Sequence, residues 1–277
     1  MSNETQNDGR REEPSPTERL VRLADGIFDR ACALDRMKLN KKDDEEAETL
    51  RETRDDAFRG CIEAWGIVLA MLPTSELDTL KRKELQRDAY KVMSRCAHRV
   101  KALDEAKGHI AKAIDAGYLE GFISLGAICM DLSQWDEAEA AFRSALAKGV
   151  SEMRAHAGLG ELYFFLGTEK LKTDPSHKEY FAKAEEEFIA AGKARFAEGF
   201  ERAMDLFETI GWKEKALAFG GRARSFYEEH RGSTGEKLRA LDAKLRRIAG
   251  DTRHDRLVEG VGRKLGEVLG GKAGRNP

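Results

Sequence analysis

The chain has 277 residues, a length that suits one large or two small domains. Charged residues make up 35% and hydrophobic residues 41% of it, and it contains only five prolines. This composition favours an all-helical protein. The net charge of −2 argues against nucleic-acid binding over the whole surface. Residues 231–277 nevertheless hold 12 Lys and Arg against 6 Asp and Glu, so this stretch is +6 and residues 1–230 are −8.

The N-terminal sequence predicts a disordered start and then a helical hairpin. Residues 1–14 are polar and lack the apolar core of a signal peptide. "SPTE" at 15–18 has the residues of a capping box, and an apolar stripe then keeps helical spacing to about Leu39. A second helix is predicted from about Asp43 to Leu72. We therefore expect a hairpin of long helices over residues 15–84 that covers the end of the part that follows.

A repeat of about 32 residues comes next. Shifting the chain by 32 residues aligns "YKVMSRCAHRVKALDEAKGHIAKAIDAG" at 90–117 with "FISLGAICMDLSQWDEAEAAFRSALAKG" at 122–149. A third copy and a weaker fourth follow, with an insertion near 168–180. A fixed period with two helices per unit is typical of a helical solenoid. An unrelated helical bundle is the alternative.

These repeats resemble the tetratricopeptide repeat (TPR) family, in variants with a short linker. The resemblance is carried by bulky, small and aromatic residues at the family's repeat positions: Leu125, Gly126, Trp135, Ala138, Phe142, Ala145, Leu159, Gly160, Ala184 and Phe188. We assign about four repeats to residues 85–230. The resemblance implies an all-α solenoid. Small residues would let its helices approach closely, and phenylalanines would fill the space between units.

The resemblance also implies a concave groove lined by the first helix of each repeat. By helical phase, the residues facing it would be Lys91, Arg95, His98, Arg99, Glu120, Ile123, Ala127, Met130, Arg154, Ala157, Glu161, Phe164, Glu201 and Asp205, with Glu208 one turn further on. Such a groove would be basic at one end, apolar in the middle and acidic at the other. It would suit a peptide or helix of the opposite polarity. The alternative is an ordinary solvated helix face.

No motif in the sequence predicts an enzyme. The six histidines form no HExxH, and Cys32, Cys61, Cys96 and Cys129 form no CxxC pair, so neither a metal site nor a cofactor is expected. We interpret the cysteines as small core residues of a reducing compartment. The longest apolar run, "WGIVLAML" at 65–72, is far short of a membrane span, and a cytoplasmic location is the simplest expectation.

Residues 231–277 predict a basic C-terminal helix and tail. "EKLRALDAKLRRIAG" at 236–250 carries a narrow apolar stripe, which favours a capping helix or, alternatively, a dimerisation surface. A second amphipathic segment at 255–268 could be a short interaction motif, dock on the solenoid or fray.

The function predicted from the sequence is a non-enzymatic scaffold or adaptor that binds another protein as a peptide or helix. The alternatives are binding of nucleic acid or an anionic surface through residues 231–277, and a self-assembling structural protein that forms homo-oligomers.

Overall fold

The computed structural model describes residues 14–37, 44–171, 174–193, 197–229 and 231–250, and within these ranges it contains helices and no strand. The helices are α1 (Pro16–Arg36), α2 (Asp44–Met71), a short 3-10 helix (Leu72–Thr74), α3 (Thr79–Arg99), α4 (Leu103–Asp115), α5 (Gly121–Asp131), α6 (Trp135–Ala147), α7 (Glu152–Lys170), α8 (His177–Lys193), α9 (Ala197–Thr209), α10 (Lys213–Glu229) and α11 (Arg231–Ala249). The predicted all-α fold is confirmed. The segment predicted to be disordered, apart from Pro14, and the amphipathic segment at 255–268 lie outside the described residues.

The helices fall into two compact units, Met1–Leu132 with α1 to α5 and Ser133–Pro277 with α6 to α11. Within the first unit each helix packs against the next one along the chain. The same holds within the second unit, where α7 also packs against α9. Stacking of consecutive helices against their neighbours is the packing pattern of an α-solenoid.

The N-terminal hairpin begins at the predicted capping box. The Ser15 hydroxyl accepts a hydrogen bond from the Glu18 backbone N–H at 3.2 Å, and the Glu18 carboxylate accepts one from the Ser15 N–H at 2.9 Å. Helices α1, α2 and α3 share an apolar core, made of Ala24, Ala31, Phe58, Cys61, Trp65, Val68, Ala89, Met93 and Cys96. Burial of these side chains stabilises the first three helices as one layer.

The 32-residue period is visible in the backbone. Two non-glycine residues with positive φ, Lys101 (62°) and Ser133 (57°), lie 32 positions apart. Gly117 (99°) and Gly149 (63°) have the same separation, and each ends a second helix of a repeat in the left-handed region that glycine favours. Equal turns at equal spacing show that the local backbone conformation follows the 32-residue period.

Close helix contacts in the second unit depend on glycine. A Cβ added at Gly160 on α7 would lie 2.8 Å from the Phe188 ring of α8, and one added at Gly158 would lie 2.4 Å from the Phe142 ring of α6. Both rings are buried. The two glycines therefore let α7 pack against a neighbour on either side. Gly126 is likewise buried, within α5.

Candidate functional site

Helix α3 buries one face and presents cations on another. The Asp78 carboxylate caps its N-terminus by accepting a hydrogen bond from the Lys81 N–H at 2.8 Å. The buried face consists of Ala89, Met93, Ser94, Cys96 and Ala97. The basic residues are Lys91, Arg95, His98 and Arg99, and they lie outside this buried face. The spacing of about one helical turn keeps them on one side of α3.

These cations line an open cavity of about 380 Å³ in the first unit. The lining is Lys91, Ser94, Arg95, His98, Arg99, Ile110, Tyr118, Ser124, Ala127 and Ile128. The lining therefore combines basic residues of α3 with residues of α5 and with Tyr118, which precedes α5. The lining residues Ile110 and Ile128 are themselves buried.

Two of the cations lie over aromatic rings. Lys91 Nζ is 5.0 Å from the centroid of the Tyr118 ring, and Arg95 Cζ is 5.0 Å from that of Phe28 on α1. Neither cation forms an ion pair with a carboxylate anywhere in the described part of the chain. The contacts with the rings hold both side chains in place without cancelling their charge.

The other two basic residues already lie against carboxylates. Arg99 Nη1 lies 3.0 Å from Asp35 Oδ2, and His98 Nε2 lies 2.6 Å from Asp131 Oδ2. The uncompensated charge of the cavity is therefore concentrated on Lys91 and Arg95, which are neighbours at positions i and i+4.

Five lining residues that the sequence does not predict for a groove complete the cavity: Ser94, Ile110, Tyr118, Ser124 and Ile128. The buried Ser94 hydroxyl donates to the Ala106 carbonyl at 2.9 Å, which ties α3 to α4. Tyr118 follows the left-handed Gly117, and its N–H bonds the Ala113 carbonyl at 2.9 Å. An apolar residue directly after such a glycine is typical of this helix ending, so the sequence pattern could have identified Tyr118. No pattern in the sequence identifies Ser124.

The remaining groove residues predicted in the first unit lie beside the cavity rather than in its wall. Ala127 lines it, whereas Glu120, Ile123 and Met130 do not. Glu120 is exposed at the N-terminus of α5, and the other two side chains are half-buried.

In the second unit the structure corrects two groove predictions. Ala157 and Phe164 are only 8% and 2% exposed, so both belong to the core. The Phe164 ring packs edge-on against Phe181 at 5.5 Å and Phe207 at 5.4 Å between centroids. Arg154 is exposed. The aromatic cluster of α7, α8 and α9 draws Phe164 inward because burial of a large ring outweighs exposure on a groove.

The acidic residues predicted at the far end of the groove are engaged by other side chains of the same unit. Three basic residues of α11 pair with three acids of α9: Lys237 with Glu198 at 2.6 Å, Lys244 with Asp205 at 2.5 Å and Arg247 with Glu208 at 2.9 Å. Tyr227 donates a hydrogen bond to Glu201, and Arg202 pairs with Glu161 at 2.9 Å. Helix α11 thus engages Asp205 and Glu208, whereas residues of α10 and α9 engage Glu201 and Glu161.

The described residues contain no group of three or more His, Cys, Asp or Glu side chains placed to hold a metal ion. In the same ranges, every helix is too short or too polar to span a bilayer.

Comparison with known proteins finds matches among solved structures only. No protein-family model matches the chain, and no curated protein does. BtubC (BKLC) from P. vanneervenii matches with 16% identity over 95% of this chain and 96% of its own, at a TM-score of 0.39. The nearly identical TPR-like repeats of a Podosopora anserina protein described as a kinesin light chain match with 14% identity over 85% and 100%, also at 0.39. The architecture given above therefore rests on the helices of this chain itself.

Proposed function

We propose that this chain is a protein-interaction scaffold, and that the basic cavity of its first unit binds an acidic segment of another protein. The observation that carries the proposal is the pair Lys91 and Arg95. Both cations line a concave site, and neither has a carboxylate partner among the described residues.

The two other basic residues of the site differ from this pair. His98 and Arg99 each lie against a carboxylate, Asp131 and Asp35 respectively. Like charges at i and i+4 repel each other by a few tenths of a kcal/mol. Two carboxylates on a ligand would remove this repulsion and add attraction to both cations.

The apolar part of the lining shapes the site more than it adds affinity. Ile110 and Ile128 are only 2% and 4% exposed, so a ligand would bury little further surface on them. The Tyr118 ring has Lys91 Nζ at 5.0 Å from its centroid. Charge complementarity therefore selects the partner.

The alternative of polyanion binding through residues 231–277 has less support from the described part of that segment. Lys237, Lys244 and Arg247 are already paired with acids of α9. A phosphate backbone would have to compete with these carboxylates.

Affinity capture with charge-reversed variants tests the proposal. The test variant is Lys91→Glu with Arg95→Glu. The matched control is Lys83→Glu with Lys112→Glu, because these lysines line another cavity of the first unit and Lys112 Nζ also lies over a ring, 5.5 Å from the centroid of Tyr90. Partners should be retained by the wild type and the control, and reduced about tenfold or more on the test variant, which corresponds to about 1.4 kcal/mol. A set of captured proteins identical for all three chains would overturn the proposal.

A further inference from the structure

The core shared by α1, α2 and α3 contains three of the four cysteines of the chain. We infer that two of them, Cys61 and Cys96, form a reversible disulfide when hydrogen peroxide reaches the protein, and that this bond ties α2 to α3. The inference concerns the interior of the first unit and not the basic cavity. It therefore stands or falls independently of the proposed function.

The two thiols lie on facing helices of one core. Cys61 follows Phe58 by about one turn on α2, Cys96 follows Met93 by about one turn on α3, and all four side chains are buried. The two helices pack against each other. The Cys96 thiol donates a hydrogen bond to the Cys61 sulfur. The two sulfur atoms therefore need only a small approach to reach the disulfide bond length of about 2.0 Å.

The hydrogen bond also gives the two cysteines different roles. It lowers the pKa of Cys61 and raises the pKa of Cys96, because it favours the thiolate of the acceptor and keeps the proton on the donor. The thiolate is the nucleophilic form of cysteine. Cys61 is therefore the sulfur that attacks the peroxide, and Cys96 is the one that then closes the disulfide.

The reaction balances with one molecule of peroxide. The Cys61 sulfur attacks one peroxide oxygen and becomes a sulfenic acid, while the O–O bond breaks and the second oxygen leaves as water with the former thiol proton. The Cys96 sulfur then attacks the sulfenic sulfur, the S–O bond breaks, and the hydroxyl leaves as water with the Cys96 proton. Two thiols lose two electrons, and the peroxide is reduced to two molecules of water.

The core reaches the protein surface at α1. Cys32 of this helix packs against the core and is only half-buried. Cys61 Sγ lies 3.9 Å from the Ala24 carbonyl oxygen, which places it beside the same helix. A small uncharged oxidant can therefore reach Cys61 through local opening at α1.

Peptide mapping of the native, full-length chain after brief exposure to hydrogen peroxide tests the inference. The remaining thiols are alkylated in denaturant before digestion. We expect the loss of two thiols, a cross-link between the peptides of Cys61 and Cys96, and its reversal by dithiothreitol. Cys129 on α5 is also 0% exposed and is the internal control, which should be modified about tenfold more slowly. The oxidised chain should melt roughly 5 °C higher, because a cross-link restricts the unfolded chain.

Two variants separate the pair from the other thiols. Cys32→Ala and Cys129→Ala should both form the cross-link as fast as the wild type does. A cross-link that involves Cys32, loss of the cross-link in Cys32→Ala, or oxidation of Cys129 as fast as Cys61 would overturn the inference. So would a disulfide that forms only in the unfolded chain, or one that lowers the melting temperature, because α2 and α3 would then be joined at the expense of their native packing.

Discussion

Helices α3 and α9 both carry a row of like charges at helical spacing, but the described residues match the two rows to different extents. The acids Glu198, Asp205 and Glu208 each pair with a basic residue of α11 that lies 39 positions later. On α3, Lys91 and Arg95 have aromatic neighbours and no carboxylate partner among the described residues, whereas His98 and Arg99 lie against Asp131 and Asp35. Two charged rows that look alike in the sequence can thus differ in the partners they find, and only the tertiary contacts distinguish them.

The ion pairs between α9 and α11 depend first on the packing of α11 through its apolar side chains. Leu241, Leu245 and Ile248 of α11 are buried, and a Cβ at Gly220 of α10 would lie 2.4 Å from Leu245 Cδ2. We expect Leu245→Ala to lower the free energy of unfolding by roughly 3 kcal/mol, because it removes a buried side chain and leaves a cavity. Urea unfolding followed by circular dichroism measures the loss. The half-exposed Leu238 supplies the control, and equal losses for Leu238→Ala and Leu245→Ala would show that α11 does not dock through this stripe.

A second effect concerns Tyr163, which belongs to another internally matched network of the second unit. Its hydroxyl donates to Glu139 Oε1 and accepts from Arg143 Nη2, both at 2.9 Å. Burial and then the hydrogen bond to Glu139 raise the pKa of Tyr163 to about 12. An unfolded tyrosine titrates near pH 10. The raised pKa therefore stabilises the fold fully below pH 10, and this contribution is lost as the pH rises from about 10 to about 12.

The loss amounts to roughly 2 kcal/mol over this pH window. Urea unfolding at a series of pH values should show it in the wild type and a shallower decline in Tyr163→Phe. Parallel declines in the two proteins would show that the phenol does not carry the effect.

The sequence predicts the backbone of the repeats better than it predicts their surfaces. The turns at Lys101 and Ser133 are predictable, because both follow the 32-residue period and both have a positive φ. The basic face of α3 is predictable as well, because helical phase is clear where one face of a helix is apolar and the other charged. Helical phase does not identify the exposed face of α7, because Tyr163, Phe164 and Phe165 are consecutive aromatics. The sequence therefore predicts Phe164 on the groove, whereas its side chain is buried.

The pairing of α9 with α11 could not be predicted in the same way. The partners lie 39 residues apart, and no local pattern relates Asp205 to Lys244. Both rows look like solvated helix faces when read separately. Only the position of α11 within the second unit, fixed by buried side chains such as Leu245, brings the two rows together.

The smallest expected changes in the free energy of unfolding come from removing the charges of α11 that pair with α9, or those of Lys91 and Arg95 on α3. We expect the triple change Lys237→Gln, Lys244→Gln and Arg247→Gln to lower the free energy of unfolding by roughly 1 kcal/mol at low salt, because exposed ion pairs contribute little each. Lys91→Gln with Arg95→Gln should change it by less than about 0.5 kcal/mol, since only the contacts with the two rings are lost. Urea unfolding at low and at high salt measures both, and the effect of the triple change should shrink at about 1 M salt, where screening acts within about 3 Å. A double variant that is destabilised as much as the triple one would mean that Lys91 and Arg95 serve the fold, and the distinction between a structural row and an available one would fail.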